Sequence, residues 1–120
     1  ADNFLFLPDG SLRLIDWEYA AMHDPLIDVS MCSIYSYYNE EETDRLAELY
    51  LERRPTDEER FCIYAYAALG GFLWCLWAVY KSLEGQEYGD YTIVMYHYAR
   101  QYYNKIKNAG LFPFPEDGCE

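Results

Sequence analysis

From Phe61 to Tyr80 the sequence runs twenty residues without a charge. A helix of that length spans about 30 Å, enough to run through a small domain or to cross a bilayer. Only seven of the twenty are Leu, Ile, Val or Phe, and the stretch also holds Tyr64, Tyr66, Tyr80 and the Gly70-Gly71 pair. That mixture fits the buried central helix of a soluble protein better than a membrane span. Thr56-Asp57-Glu58-Glu59 just before it is a capping-box pattern, in which the Thr hydroxyl and the Glu carboxylate satisfy free backbone N–H groups at a helix start. The expectation is one helix from there to about Leu83.

The remaining elements follow from local signals. Phe4 to Leu7 and Leu12 to Ile15 read as two strand arms. Asp9-Gly10 sits between them as the turn, because glycine tolerates positive φ. Asp16 then lies at the exit of the second arm. Asp24-Pro25 opens a helix to about Tyr38. Asn39 caps the next, whose first turn carries Glu40, Glu41 and Glu42 and whose buried stripe is expected at Leu46, Leu49 and Tyr50. Arg53 and Arg54 are expected to complement the C-terminal end of that helix, and Pro55 to stop it. Gly85 and Gly89 break the chain before a last helix from Tyr91 to Asn108, and the tail holding Pro113 and Pro115 is expected to be loose. The expected fold is therefore mainly α, an N-terminal β-hairpin followed by about four helices. Residues 1–24 form a hairpin and adjoining segment, 25–108 a helical subdomain and 109–120 a tail. A two-stranded hairpin is not stable alone and must pack on something.

Composition narrows the function classes. The 120 residues carry 21 acidic and nine basic side chains, a net charge of -12, which argues against nucleic acid or an anionic membrane as partner. It is compatible with a cationic ligand, although runs such as Glu40-Glu41-Glu42 read first as solvated helix starts. Fourteen tyrosines can line a wet pocket as well as fill a core. Cys32, Cys62, Cys75 and Cys119 form no metal-ligand spacing. The first three read as small core residues, and a reducing, cytoplasmic setting is the default expectation. His23 and His97 read as surface or structural histidines.

Two groups of residues carry chemistry. Asp16 and Glu18, at a strand exit, offer the hard oxygens that Mg²⁺ takes together with substrate phosphates. If the strand continues, both point the same way. Trp74 and Trp77, at i and i+3, share a helix face. Gly70 and Gly71 are expected to leave a hollow beside the Trp74 indole, a setting in which a quaternary ammonium binds by cation–π attraction. By spacing alone, plain core packing is the stronger reading of both tryptophans.

Read together, Asp2-Asn3-Phe4-Leu5-Phe6, the hairpin, Leu14-Ile15-Asp16-Trp17-Glu18-Tyr19-Ala20 and Asp24-Pro25-Leu26-Ile27-Asp28-Val29 resemble the aminoglycoside phosphotransferase and choline kinase superfamily. Phe72-Leu73-Trp74-Cys75-Leu76-Trp77 resembles the choline-site segment of choline kinases. The stretch from Glu87 to Arg100 is similar to the following helix in bacterial choline kinases of the LicA type. The resemblance implies the C-terminal portion of a protein-kinase-like (α+β) fold. It implies an ATP-dependent kinase acting on the hydroxyl of choline, with Mg²⁺ held by Asn3 and Asp16 and assisted by Glu18. Asp28 matches a structural aspartate that braces the catalytic loop. Trp74, Trp77 and a tyrosine of the last helix, Tyr96 before Tyr91, would form the choline site. The family's catalytic aspartate falls five residues before the position of Asn3, so the base and the nucleotide lobe are expected from a longer protein, and this stretch alone is expected to be inactive. An ungapped match puts Tyr35 and Glu40 where animal choline kinases have an acid and a tyrosine, so those two roles are not carried over. Tyr35, Tyr37 and Tyr38 remain near enough to contribute.

Three cation–π contacts supply roughly 2–6 kcal/mol, short of the ~8 that micromolar affinity needs, so a carboxylate such as Glu18 must help. Ethanolamine or an aminoglycoside is the alternative acceptor, although a primary ammonium is better served by carboxylates than by indoles. A non-catalytic helical binding module is the other class of reading, and the sequence is compatible with a homodimer.

Overall fold

A computed structural model of the chain describes residues 3–18 and 20–109. Strands β1 (Phe4–Phe6) and β2 (Leu12–Leu14) pair antiparallel, with Leu5 opposite Arg13. They are followed by α1 (Leu26–Tyr35), α2 (Glu40–Leu51), α3 (Asp57–Leu83) and α4 (Tyr91–Asn108). The mainly helical expectation holds, with each arm of the hairpin one residue shorter. The turn is wider than Asp9-Gly10 alone. Leu7 N–H donates to Ser11 O and Gly10 N–H to Leu7 O, so Pro8 and Asp9 take the corner and Gly10 follows at φ 82°. This is the three-residue loop in which a glycine in the left-handed region restores the strand register. Asp9 accepts hydrogen bonds from both the hydroxyl and the backbone N–H of Ser11, which hold its carboxyl below the usual range.

Both capping boxes form, Asn39 with Glu42 at α2 and Thr56 with Glu59 at α3. Helix α1 starts at Leu26, its first free N–H taken by the Asp24 carboxylate at 3.0 Å. It ends at Tyr35, three residues before the expected Tyr38. Tyr37 there adopts φ 57°, a left-handed conformation that no helix continues through. Of the expected stripe of α2, Leu46 packs against the core, but Leu49 and Tyr50 are exposed, whereas Thr43 and Ala47 are buried. A polar contact sets the phase, since the Thr43 hydroxyl meets the Tyr102 hydroxyl of α4 at 2.9 Å. Arg53 and Arg54 lie past the end of α2. Arg53 pairs with Glu59 at 2.6 Å, joining the α2–α3 turn to the capping box, and Arg54 lies 3.6 Å from Glu48.

Helix α3 is the spine, packed on α1 and α4. Ile63, Tyr64, Ala67, Gly70, Gly71 and Ala78 form its buried side, meeting Leu26, Val29 and Ile34 of α1 and Met95, Tyr102 and Ile106 of α4 in one core. The Ser30 hydroxyl reaches the Ile63 carbonyl at 2.9 Å, tying α1 to α3. Gly70 and Gly71 leave no hollow. A β-carbon on Gly70 would meet the side chains of Met31 and Ile34, and one on Gly71 the backbone of α4. Both glycines serve helix packing. The expected central burial of α3 is also one-sided, because Leu69, Phe72, Leu73, Leu76, Val79, Tyr80 and Leu83 form an exposed apolar face opposite the core. Among the described residues, α3 is the one helix long and apolar enough to cross a membrane by length and composition. Cys32, Cys62 and Cys75 are half-buried free thiols, and burial raises the Cys62 thiol; Cys119 and the tail prolines lie outside the described residues.

Candidate phosphotransfer and cation site

The first half of the site is built by hairpin register. The pairing of Phe4 with Leu14 continues one step further, with Ile15 N–H donating to Asn3 O at 3.0 Å. This sets Asn3 opposite Ile15, one residue before Asp16. The Asn3 amide nitrogen then lies 3.5 Å from an Asp16 carboxylate oxygen, a proximity at the outer limit of hydrogen bonding. Asp16 is at φ 64°. A left-handed conformation costs a non-glycine residue roughly 1–2 kcal/mol, and aspartate is one of the few types that visits it. It also ends the strand's alternation. Glu18 lies in a turn beyond β2, so the expectation that Asp16 and Glu18 share one side through a continuing strand does not hold. Trp17 is anchored by its indole N–H to Leu14 O at 3.0 Å, with the ring largely exposed.

Among the described residues no three His, Cys, Asp or Glu side chains gather as a metal cage. A carboxylate and an amide oxygen are still a donor set that suits Mg²⁺, which keeps waters and completes its shell with phosphate oxygens. Asn3 and Asp16 fit that requirement in chemistry and in proximity. Asp28 is exposed on the first turn of α1. The neighbouring Asp24 makes the tertiary contacts instead, accepting from Leu26 N–H and from the Tyr66 hydroxyl of α3 at 3.0 Å. That hydrogen bond, ahead of burial, raises the Tyr66 phenol.

The second half is a chain of aromatic rings. Trp74 and Trp77 stand at 77° with centroids 5.7 Å apart. Tyr35 of α1 lies 5.8 Å from Trp74, and Tyr88, in the loop between α3 and α4, lies 5.1 Å from Trp77 and 6.3 Å from Tyr91. Burial raises the Tyr91 phenol, and a hydrogen bond from Tyr35 works against it. Five rings from α1, α3, the loop and α4 therefore adjoin. Tyr96 packs beside His97 at 6.2 Å and is 45% exposed. Four residues separate Tyr91 from Tyr96, and on a helix that spacing turns the second ring well away from the first. The ring contacts thus favour Tyr91, reversing the order in which the sequence ranked the two. Of the three tyrosines near α1, Tyr35 joins the rings; Tyr37 and Tyr38 line a separate groove with His97 and Tyr98. Glu40 is engaged elsewhere, with Lys105 and the Tyr64 hydroxyl. Sequence reasoning missed Tyr88, because no spacing rule connects a loop tyrosine to a helix eleven residues earlier.

No family model matches the chain. Protein LicA of Haemophilus influenzae is 30% identical over 97 residues, covering 74% of this chain and 36% of that protein. The crystal structure of choline kinase LicA from Streptococcus pneumoniae is 32% identical with a TM-score of 0.69, covering 86% of this chain and 36% of that one. A structure of LicA in complex with AMP matches equally well. A choline/ethanolamine kinase family protein from Mesorhizobium loti is 26% identical with a TM-score of 0.63, covering 92% of this chain and 36% of that one. The hairpin and four helices are thus part of a protein-kinase-like fold of the class found in choline kinases. More particularly, in sequence and in fold the chain is a relative of the LicA-type choline kinases over the part it spans, about a third of their length.

Proposed function

We propose that the chain is the acceptor-binding and metal-holding part of a longer kinase that transfers the γ-phosphoryl group of ATP to the hydroxyl of choline. The observation that carries the reading is the corner formed by Trp74 and Trp77 with Tyr91 close by. Two indoles nearly perpendicular, with centroids 5.7 Å apart, offer adjacent aromatic surfaces to a cation within the roughly 6 Å reach of cation–π attraction. Trp74 and Trp77 would hold the trimethylammonium group. Asn3 and Asp16, with Glu18 assisting, would hold Mg²⁺ on the nucleotide phosphates, where the ion neutralises charge that develops in the transition state. The base that accepts the hydroxyl proton, and the groups that hold the nucleotide, would come from sequence outside this chain, so the chain alone is expected to be inactive. A cytoplasmic location fits a kinase that uses ATP and carries free thiols. A choline/ethanolamine kinase among the structural neighbours keeps ethanolamine as the second acceptor.

Calorimetric titration of the longer protein with choline, beside Trp74→Ala, tests the acceptor. Loss of about tenfold or more in affinity is expected from removing one indole. Unchanged affinity in the variant would sink the assignment of the pocket.

A further inference from the structure

Between β2 and α1 the chain has no regular element, and its described residues from Ile15 to His23 are exposed. This is the segment that carries Asp16 and Glu18. At the β2 end its hydrogen bonds are local: Ile15 N–H donates to Asn3 O, the Trp17 indole to Leu14 O and Ala20 N–H to Trp17 O. Contact with the helical body comes at the other end, on one side chain of α3. The half-buried Tyr66 donates its hydroxyl proton to Asp24 Oδ2 at 3.0 Å, while Asp24 Oδ1 accepts from Leu26 N–H at the start of α1, also at 3.0 Å. A single carboxylate thus joins α1 to α3. The His23 ring meets the same Tyr66 ring edge-on, with centroids 6.0 Å apart at 78°. Trp77 lies about three turns further along α3, roughly 16 Å away on the same helix face as Tyr66.

Resting on the metal reading of Asp16 above, we propose that Tyr66 is a positioning residue for phosphoryl transfer: it fixes the end of the Asp16 segment on the same helix that carries Trp74 and Trp77. Transfer requires the acceptor hydroxyl and the metal-bound phosphate to be held in register, and a misplacement of about 1 Å can cost about 10²-fold in rate. An exposed, irregular segment holds no such register by itself. A hydrogen bond to a carboxylate is charge-assisted and stronger than one between neutral groups, so the Tyr66 hydroxyl is a firm anchor for its size. Tyr66 touches neither metal nor acceptor in this reading; it acts through Asp24. Loss of its hydroxyl therefore loosens the metal segment and leaves the cation site as it was.

The test uses the longer protein with Tyr66→Phe, Asp24→Ala, the two combined, and Asp16→Asn, with thermal melts to verify folding. Tyr66→Phe keeps the ring against His23 and deletes the donor alone. Without metal or substrates, amide hydrogen exchange in residues 15–24 should quicken about threefold or more in Tyr66→Phe. The Mg²⁺ concentration for half-maximal turnover should rise roughly three- to tenfold. Choline affinity by calorimetry should stay within about twofold. Adding Tyr66→Phe to Asp24→Ala should change the Mg²⁺ requirement by less than about 1.5-fold, because the hydroxyl has already lost its partner. Unchanged exchange, an unchanged Mg²⁺ requirement, a loss of choline affinity equal to the rise in that requirement, or additive effects of the two substitutions each overturn the inference. If Asp16→Asn abolishes turnover while Tyr66→Phe changes nothing, only the role of Tyr66 falls. If Asp16→Asn keeps its Mg²⁺-dependent turnover, the metal reading falls and takes this inference with it.

Discussion

Gly71 of α3 lies directly against the backbone of α4: a β-carbon there would stand 2.8 Å from the backbone nitrogen of Ala99 and 2.8 Å from the Met95 carbonyl oxygen. The two helices approach through a residue with no side chain, about one turn before Trp74. Backbone cannot yield as a side chain can. Gly71→Ala should therefore destabilise the fold by about 1–3 kcal/mol, despite the ~1 kcal/mol that alanine contributes to helix propensity. Gly70→Ala is the control. The obstructing atoms there are the flexible end of Met31 and the tip of Ile34, and the same propensity gain should hold the change within about 1 kcal/mol of zero. Urea denaturation of both variants checks the contrast, and equal losses would contradict it.

Thr43 and Tyr102 are both fully buried and share a 2.9 Å hydrogen bond between α2 and α4. The Thr43 hydroxyl donates to Asn39 O at 2.8 Å, so Tyr102 supplies the proton of the shared bond. Tyr102→Phe keeps the ring stack with Tyr98 and deletes that donor alone. The loss should be about 0.5–1.5 kcal/mol. Thr43→Val, which leaves the tyrosine hydroxyl buried without its partner, should cost about 1–3 kcal/mol. The order of the two midpoints in chemical denaturation is the measurement.

Glu59 is held to a pKa of about 2, chiefly by hydrogen bonds from Arg53 and then by the backbone of Thr56. Its folded pKa lies below the ordinary glutamate value of 4.5. The stability it contributes is therefore present above that ordinary value and is lost as pH falls toward about 2. Glu59→Gln should flatten the dependence of the melting temperature on pH across this window while changing little of its slope above it. The carboxylate is at the surface, so the difference should also shrink in high salt.

The helical frame was legible because its signals are local. The capping residues Asn39 and Thr56, the acidic first turns and the glycines after α3 each act within a few residues, and α3 and α4 end where their residues predict. The phase of α2 was not legible, because it turns on Thr43 meeting Tyr102, a partner 59 residues away. The glycine pair was misread for the same reason: a missing side chain signals either open space or a close approach, and only the position of α4 distinguishes them. In the candidate site, the tryptophan pair could be anticipated from its spacing, and the association of Asn3 with Asp16 from the family resemblance alone. The order of Tyr91 and Tyr96, and the presence of Tyr35 and Tyr88 among the rings, depended on how three helices and a loop converge.

Asp16 offers the sharpest separation of function from stability. Its φ of 64° is strained for any residue with a β-carbon, and its one close polar neighbour among the described residues is Asn3, at 3.5 Å. A residue in that position for structural reasons alone would be improved by glycine. Asp16→Gly relieves the strain, and the fold should be unchanged or gain up to about 1 kcal/mol. It also removes the carboxylate proposed to hold Mg²⁺, so phosphoryl transfer by the longer protein should fall by several orders of magnitude. Asp16→Asn keeps the shape and removes the charge. It should lose activity nearly as completely, without the gain in stability. Melting curves and turnover measured on the same preparations read both effects. A stabilised, inactive Asp16→Gly is the expected pair, as strain at a functional position predicts. A glycine variant that keeps turnover would remove Asp16 from the metal site, whereas one that loses both stability and activity would make the carboxylate a structural anchor of the hairpin.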